Sequence, residues 1–130
     1  MSAISSGLLD KQRAFVEQCA KGEFVEAMEG FYADDAWQIE KGDGTRREGL
    51  ANMVAFEKDF LTQVGEFHGV DIGEIAVASD DGNGNGVTMA EYTIKATMKD
   101  GSKFWPEQVQ VTEWKAGKIT GLKYYYNPNF

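Results

Sequence analysis

The sequence predicts an α+β fold, an antiparallel sheet with its helices on one face, and three observations carry the prediction. Segments with apolar residues at helical spacing fill the first half of the chain. Segments that alternate at period two dominate the second half, and short hairpin-type turns join them. A length of 130 residues fits one domain, 1–130, with one core, and residues 1–7 are expected to form a flexible N-terminal segment.

Residues 8–21, LLDKQRAFVEQCAK, carry apolar side chains at 8, 9, 15, 16, 19 and 20, an amphipathic helix that Gly22 caps. EFVEAMEGFYA follows as a second helix, with Phe24, Val25, Met28, Phe31 and Tyr32 on one stripe and Asp34-Asp35 at its end. Trp37-Gln38-Ile39-Glu40 alternates as a strand, 36–40, and runs into the turn KGDGTRREG. EGLANMVAFEKDFLTQV is a third helix, with Leu50, Met53, Val54, Phe60, Leu61 and Val64 apolar.

Residues 66–79 read as a strand in two pieces. Apolar parity changes near Gly73, which suggests a bulge. DDGNGNG is a hairpin loop, VTMAEYTIKATM a cleanly alternating strand, and KDGS a turn of Asp-Gly type. KFWPEQVQVTEWK is the next strand, with Pro106 tolerable only near its start, at an edge or in a bulge. KITGLKYYYN closes the sheet with Leu122, Tyr124 and Tyr126 on one face. To bury three helices the sheet must curl, and a curled sheet with helices across its mouth encloses a cavity suited to small molecules.

Composition excludes several functions. A net charge of -8, from 21 acidic and 13 basic residues, opposes binding to nucleic acid or to an anionic membrane surface. The single Cys19 forms no internal disulfide and fits a reducing compartment. The first twelve residues lack the pattern of a signal peptide, and no apolar run approaches membrane-spanning length, so a cytoplasmic location is expected. One His, one Cys and no short-spaced ligand cluster argue against a metal. DDGNGNG lacks the glutamate of a calcium loop, no Gly-rich phosphate motif opens a helix, and no G-x-S-x-G occurs, so no cofactor is expected.

Alternation alone leaves open which face of Trp37-Gln38-Ile39-Glu40 is buried. GEFVEAMEGFYADDAWQIEKGDGTRREGLANM and VQVTEWKAGKITGLKYYYN, however, resemble the opening and closing of SnoaL-like, ketosteroid-isomerase-like domains of the nuclear transport factor 2 superfamily. The resemblance covers nearly the whole chain. It implies a cone-shaped (cystatin-like) fold, with a strongly curved, mostly antiparallel sheet around three helices, a conical pocket, and dimers that meet across the sheets.

The resemblance also implies site residues. Glu40 falls at the position of a catalytic base, which turns Gln38 inward and Trp37 and Ile39 toward a partner. Gln110 falls where a protonated acid donates to the oxyanion. Phe15 falls where a tyrosine donates, and having no hydroxyl it argues against steroid isomerase activity, since one such donor is worth about 2.7–4 kcal/mol.

The same inversion recurs at residues 108–114. Gln108, Gln110, Thr112 and Trp114 share one parity, and the resemblance assigns it to the pocket, with Val109 and Val111 in a homodimer interface. Phe15, Tyr32, Gln38, Tyr92, Gln108, Trp114, Tyr124 and Tyr126 are the expected substrate-binding set, and Trp105 is a further candidate for an aromatic box. Glu40, Gln110 and the lone His68 are the catalytic candidates. Arg46 and Arg47 read as a solvated loop pair, and Cys19 as a buried small hydrophobe.

The functional expectation is cofactor-independent proton transfer, as in an isomerase, cyclase or dehydratase, on a small apolar organic substrate. The alternative is a non-catalytic ligand-binding or dimeric interaction module of the same fold.

Overall fold

The structure, a computed structural model, describes residues 7–127. The expected flexible segment 1–7 therefore lies almost wholly outside the described residues.

Three helices, α1 (Leu8–Ala20), α2 (Phe24–Phe31) and α3 (Leu50–Leu61), pack against one seven-stranded sheet. Its strands are β1 (Tyr32–Glu40), β2 (Thr45–Glu48), β3 (Val64–Asp80), β4 (Gly86–Met98), β5 (Lys103–Phe104), β6 (Glu107–Lys115) and β7 (Lys118–Tyr126). The sheet order is β2-β1-β7-β6-β4-β3, with β5 on β4. Every pairing is antiparallel except β1 with β7, where the first strand runs parallel to the last. The α+β class and the mostly antiparallel sheet agree with the sequence reading.

The α1 helix buries Leu8, Gln12, Phe15, Val16 and Cys19, positions related by three- and four-residue steps along one face. Its free N-terminal donors are met in part by Asp80, whose Oδ2 accepts from Leu8 N at 3.0 Å. Gly22, at φ +83°, ends it as predicted, with its N–H bonded to Cys19 O.

Four local expectations need correction. The α2 helix stops at Phe31, so Tyr32 opens β1 and Asp34-Asp35 are exposed strand residues. The turn after β1 contains β2, whose Thr-Arg-Arg-Glu sequence has no apolar alternation to reveal it. It is an edge strand, held by its pairing with β1. The α3 helix is shorter than its apolar pattern, because Val64 belongs to β3. Finally, the strand through Pro106 is broken into β5 and β6. Pro106 has no N–H to donate, and its carbonyl accepts from Ile94 N at 3.2 Å.

β3 is one continuous strand, and its register slips between Ile72 and Ile75, around the Gly73 where the parity change placed a bulge. Further slips along β3 give the sheet its curl.

Burial settles the face of β1. Ala36 and Gln38 are buried, and Trp37 and Ile39 lie half-buried on the opposite side. Trp37 lies flat over Gly121 of β7, where any Cβ would overlap its indole ring. On β6, Gln110, Thr112 and Trp114 are buried, while Val109 is exposed. The polar-inward inversion is therefore present on both strands.

Candidate functional site

The concave face of the sheet and the three helices enclose a cavity of about 310 Å³. This is at the small end of the ~300–1,000 Å³ range of ligand pockets. Most of its wall is aromatic or aliphatic, with Phe15 and Cys19 from α1, Phe24 and Met28 from α2, Phe60 from α3, Phe67 from β3, and Tyr92, Ile94 and Ala96 from β4. The charged residues in the wall are Glu40, Asp43, Arg47 and Glu57.

Glu40 ends β1, and the strand's alternation turns its side chain inward beside Gln38. Its carboxylate has three donors. The Tyr126 hydroxyl donates to Oε1 at 2.9 Å. Gln38 Nε2 and Arg47 Nη1 donate to Oε2 at 2.8 and 3.5 Å. The carboxylate fixes the orientation of the Gln38 amide, because only an N–H can face it. Gln38 Oε1 is then left buried without a partner among the described residues.

Arg47 lines the cavity beside Glu40. Its guanidinium lies 3.5 Å from the centroid of the half-exposed Phe56 ring while it also pairs with Glu40. The solvated-pair reading of Arg46 and Arg47 thus holds for Arg46 alone, which is exposed, pairs with Glu48 and lies over Trp37. Arg47 faces the other way because successive strand residues alternate.

Glu57 is the second carboxyl group in the cavity and was not foreseen. It sits on α3 one turn after the buried Met53 and makes no hydrogen bond or ion pair among the described residues. Burial pushes its pKa up to about 7, the Glu40 charge adds to the rise, and Arg47 opposes it.

The deeper tyrosines stay protonated. Burial above all holds Tyr32, Tyr92 and Tyr124 above the usual tyrosine range. The Tyr32 hydroxyl is buried and without a hydrogen-bond partner among the described residues, although the Tyr124 hydroxyl lies near enough to favour its ionised form. Burial and then the Glu40 charge raise Tyr126. Burial pushes the Cys19 thiol up to about 12, so it stays a neutral small hydrophobe.

Of the residues singled out in the sequence, Glu40, Phe15, Tyr32, Gln38, Tyr92, Gln108, Tyr124 and Tyr126 line this one cavity. Three others do not, nor does Trp105. His68 lies on the exposed side of β3, where its Nε2 is 2.7 Å from Thr97 Oγ1 and Glu66 flanks its other nitrogen. Gln110 and Trp114 are buried behind the cavity in a polar chain through the core. Trp114 Nε1 donates to Thr88 Oγ1 at 2.8 Å, and Thr88 Oγ1 donates to Gln12 Oε1 at 2.6 Å. Gln12 Nε2 donates to Gln110 Oε1 at 3.3 Å, and Gln110 Nε2 to the Tyr124 hydroxyl at 3.4 Å. Gln110 thus meets the cavity only through Tyr124, so direct donation from Gln110 to a substrate is not the geometry found. Trp114 packs edge-on to Phe31 and is part of the core rather than of an aromatic box.

No family model and no curated protein matches the chain. Solved structures do. A candidate SnoaL-like polyketide cyclase from Mesorhizobium loti matches with a TM-score of 0.72 at 23% identity, over 88% of this chain and 94% of that one. A candidate isomerase from Bacillus subtilis matches with a TM-score of 0.74 at 18% identity, over 98% and 91%. A hypothetical protein of ketosteroid-isomerase-like fold from Catenulispora acidiphila, in complex with trimethylamine, matches with a TM-score of 0.65 at 15% identity, over 80% and 75%. Likeness at these identities speaks to fold and not to activity. The chain has the SnoaL-like, ketosteroid-isomerase-like cone fold of the nuclear transport factor 2 type.

Proposed function

We propose that the protein binds a small, largely apolar organic molecule in this cavity and moves a proton on it without a cofactor. The observation that carries the reading is Glu40, an inward carboxylate in a mostly apolar cavity, held by Tyr126, Gln38 and Arg47. A base fixed by three donors is oriented before substrate arrives. Glu40 takes a proton from the carbon beside a carbonyl, the bonding pair moves to the carbonyl oxygen, and the Tyr32 hydroxyl donates to that oxygen. The same proton returns from the Glu40 carboxyl to another carbon, so the substrate is isomerised and the protein is unchanged. Tyr32 packs against Phe15, with ring centroids 6.0 Å apart, and so brings a hydroxyl to the wall where Phe15 has none.

The test is deuterium exchange at the α-carbon of cyclohexanone in buffered D₂O, followed by proton NMR. The protein should accelerate exchange, and Glu40→Gln should lose ~10²-fold or more of that acceleration while unfolding at the same temperature. No acceleration, or equal acceleration with glutamine at 40, would overturn the reading.

The predominantly aromatic wall favours a second reading, a non-catalytic binding module, and the trimethylamine held by a protein of the same fold is consistent with a small-molecule pocket in either case. On that reading cyclohexanone would bind without exchange.

We also propose a homodimer through the outer face of the sheet. Met89, Val109 and Tyr125 are 39%, 36% and 44% exposed on β4, β6 and β7, with Val109 paired directly to Tyr125. The buried, reduced Cys19 suits a cytoplasmic setting.

A further inference from the structure

The charge of the cavity wall is one-sided. Three carboxyl groups, Glu40, Asp43 and Glu57, face a single guanidinium, Arg47, and no lysine or histidine lines the wall. Arg47 is engaged by Glu40 and by the Phe56 ring. Glu40 already has three donors, and Asp43 is turned to the backbone N–H of Thr45 at 2.9 Å. Glu57 alone has no partner among the described residues, and its neighbours are aromatic, with Phe56 and Phe60 beside it on α3.

Building on the reading of this cavity as a small-molecule site, we propose that its ligand carries a protonated amine on an apolar body, with the ammonium seated on Glu57. An ammonium would supply the cation the wall lacks and give Glu57 a charge-assisted hydrogen bond. The surrounding rings present their negative faces to such a group. The groups within electrostatic reach agree. Burial is the largest cause of the rise at all of these groups, and the Glu57 charge adds to it at Cys19 and Tyr32, the Glu40 charge at Tyr32, Tyr124, Tyr126 and Glu57. Arg47 on β2 opposes the rise at Glu57 and Tyr126 but counts for less than Glu40 at both, so carboxylate charge outweighs the cation at this wall. An anionic ligand would add a fourth negative charge to this wall.

The test uses three probes of one shape, benzylamine, benzyl alcohol and benzoate, with the full-length protein in calorimetric titrations at pH 6 and pH 8. Benzylamine is expected to bind at least about tenfold more tightly than the other two at pH 8. Its affinity should fall at pH 6, where Glu57 holds its own proton, and Glu57→Gln should abolish both the preference and the pH dependence while still binding benzyl alcohol. Equal affinities, a preference for benzoate, or an amine preference that survives Glu57→Gln would overturn the proposal and leave the cavity a binding site. If none of the three probes binds, the small-molecule reading falls together with it.

Discussion

Glu57 and Glu40 share one cavity, on α3 and β1, and among the described residues only Glu40 of the two is hydrogen-bonded. In an apolar space one carboxylate charge disfavours the ionisation of a second carboxyl beside it. Burial is the main reason the Glu57 pKa rises to about 7, the Glu40 charge adds to the rise, and Arg47 opposes it. Removing the Glu40 charge with Glu40→Gln should lower that pKa, and removing the opposing cation with Arg47→Met should raise it further. Carbon-detected NMR of the Glu57 carboxyl between pH 4 and pH 9 checks both directions. Unchanged titration in both variants would mean that burial alone sets the value.

The same shift makes a prediction about stability. Glu57 has a folded pKa above the unfolded value of 4.5, so the folded state binds its proton more tightly. Below about pH 4.5 both states are protonated and nothing is lost. As pH rises from 4.5 to about 7 the unfolded chain ionises while the folded protein keeps its proton on this half-buried group, and stability drops by at most about 3 kcal/mol at ~1.4 kcal/mol per pKa unit. Glu57→Gln removes that dependence. Urea unfolding at pH 5 and pH 8 should show the variant gaining on the parent protein as pH rises, and parallel curves would contradict it.

Gln12 occupies in α1 the kind of position that Glu57 occupies in α3. It is fully buried, accepts from Thr88 and donates to Gln110, so it ties the helix to β4 and β6. Gln12→Leu keeps the volume but leaves the Gln110 carbonyl oxygen without its donor and the Thr88 hydroxyl without its acceptor. An unpaired buried polar group costs ~1–3 kcal/mol, so the loss should be about 2–4 kcal/mol. Chemical unfolding measures it, and a neutral or stabilising result would show that water or repacking satisfies both groups.

These two residues mark the limit of what was legible. The fold was readable because element order and periodicity carry it: helices first, hairpin-linked strands after, and a parity change at Gly73. The inward face of β1 and β6 needed the family resemblance, since alternation fixes which residues share a face but not which face is buried. β2 escaped because Thr45–Glu48 carries no apolar signal. Gln12 and Glu57 escaped for a different reason. Each interrupts an apolar helical stripe, Leu8-Gln12-Phe15-Val16-Cys19 in one case and Met53-Glu57-Phe60-Leu61 in the other. A polar residue inside such a stripe is itself a signal, because the helix turns it to the interior regardless of its chemistry. Counting only the apolar positions discards that signal. His68 shows the reverse error, a reactive side chain valued for its type and placed by strand parity on the outside.

The outer face of the sheet gives the last prediction. Met89 pairs with Val111, Val111 lies between Val109 and Glu113 on β6, and Val109 pairs with Tyr125, so apolar residues adjoin across three strands. Lys123 and Glu113, 3.9 Å apart, set a polar border beside them. Scattered exposed apolar residues are ordinary, whereas a contiguous set on one sheet face favours burial against a partner. A two-fold dimer would place the same patch of each copy against the other. Light scattering at micromolar concentration should then give twice the chain mass. Val109→Lys places like charges opposite one another across the two-fold axis and should return the chain to its monomer mass, with its circular dichroism spectrum unchanged. A wild-type protein that is monomeric at these concentrations would remove the dimer from the proposal and leave the cavity chemistry untouched, because every group assigned to the cavity comes from a single chain.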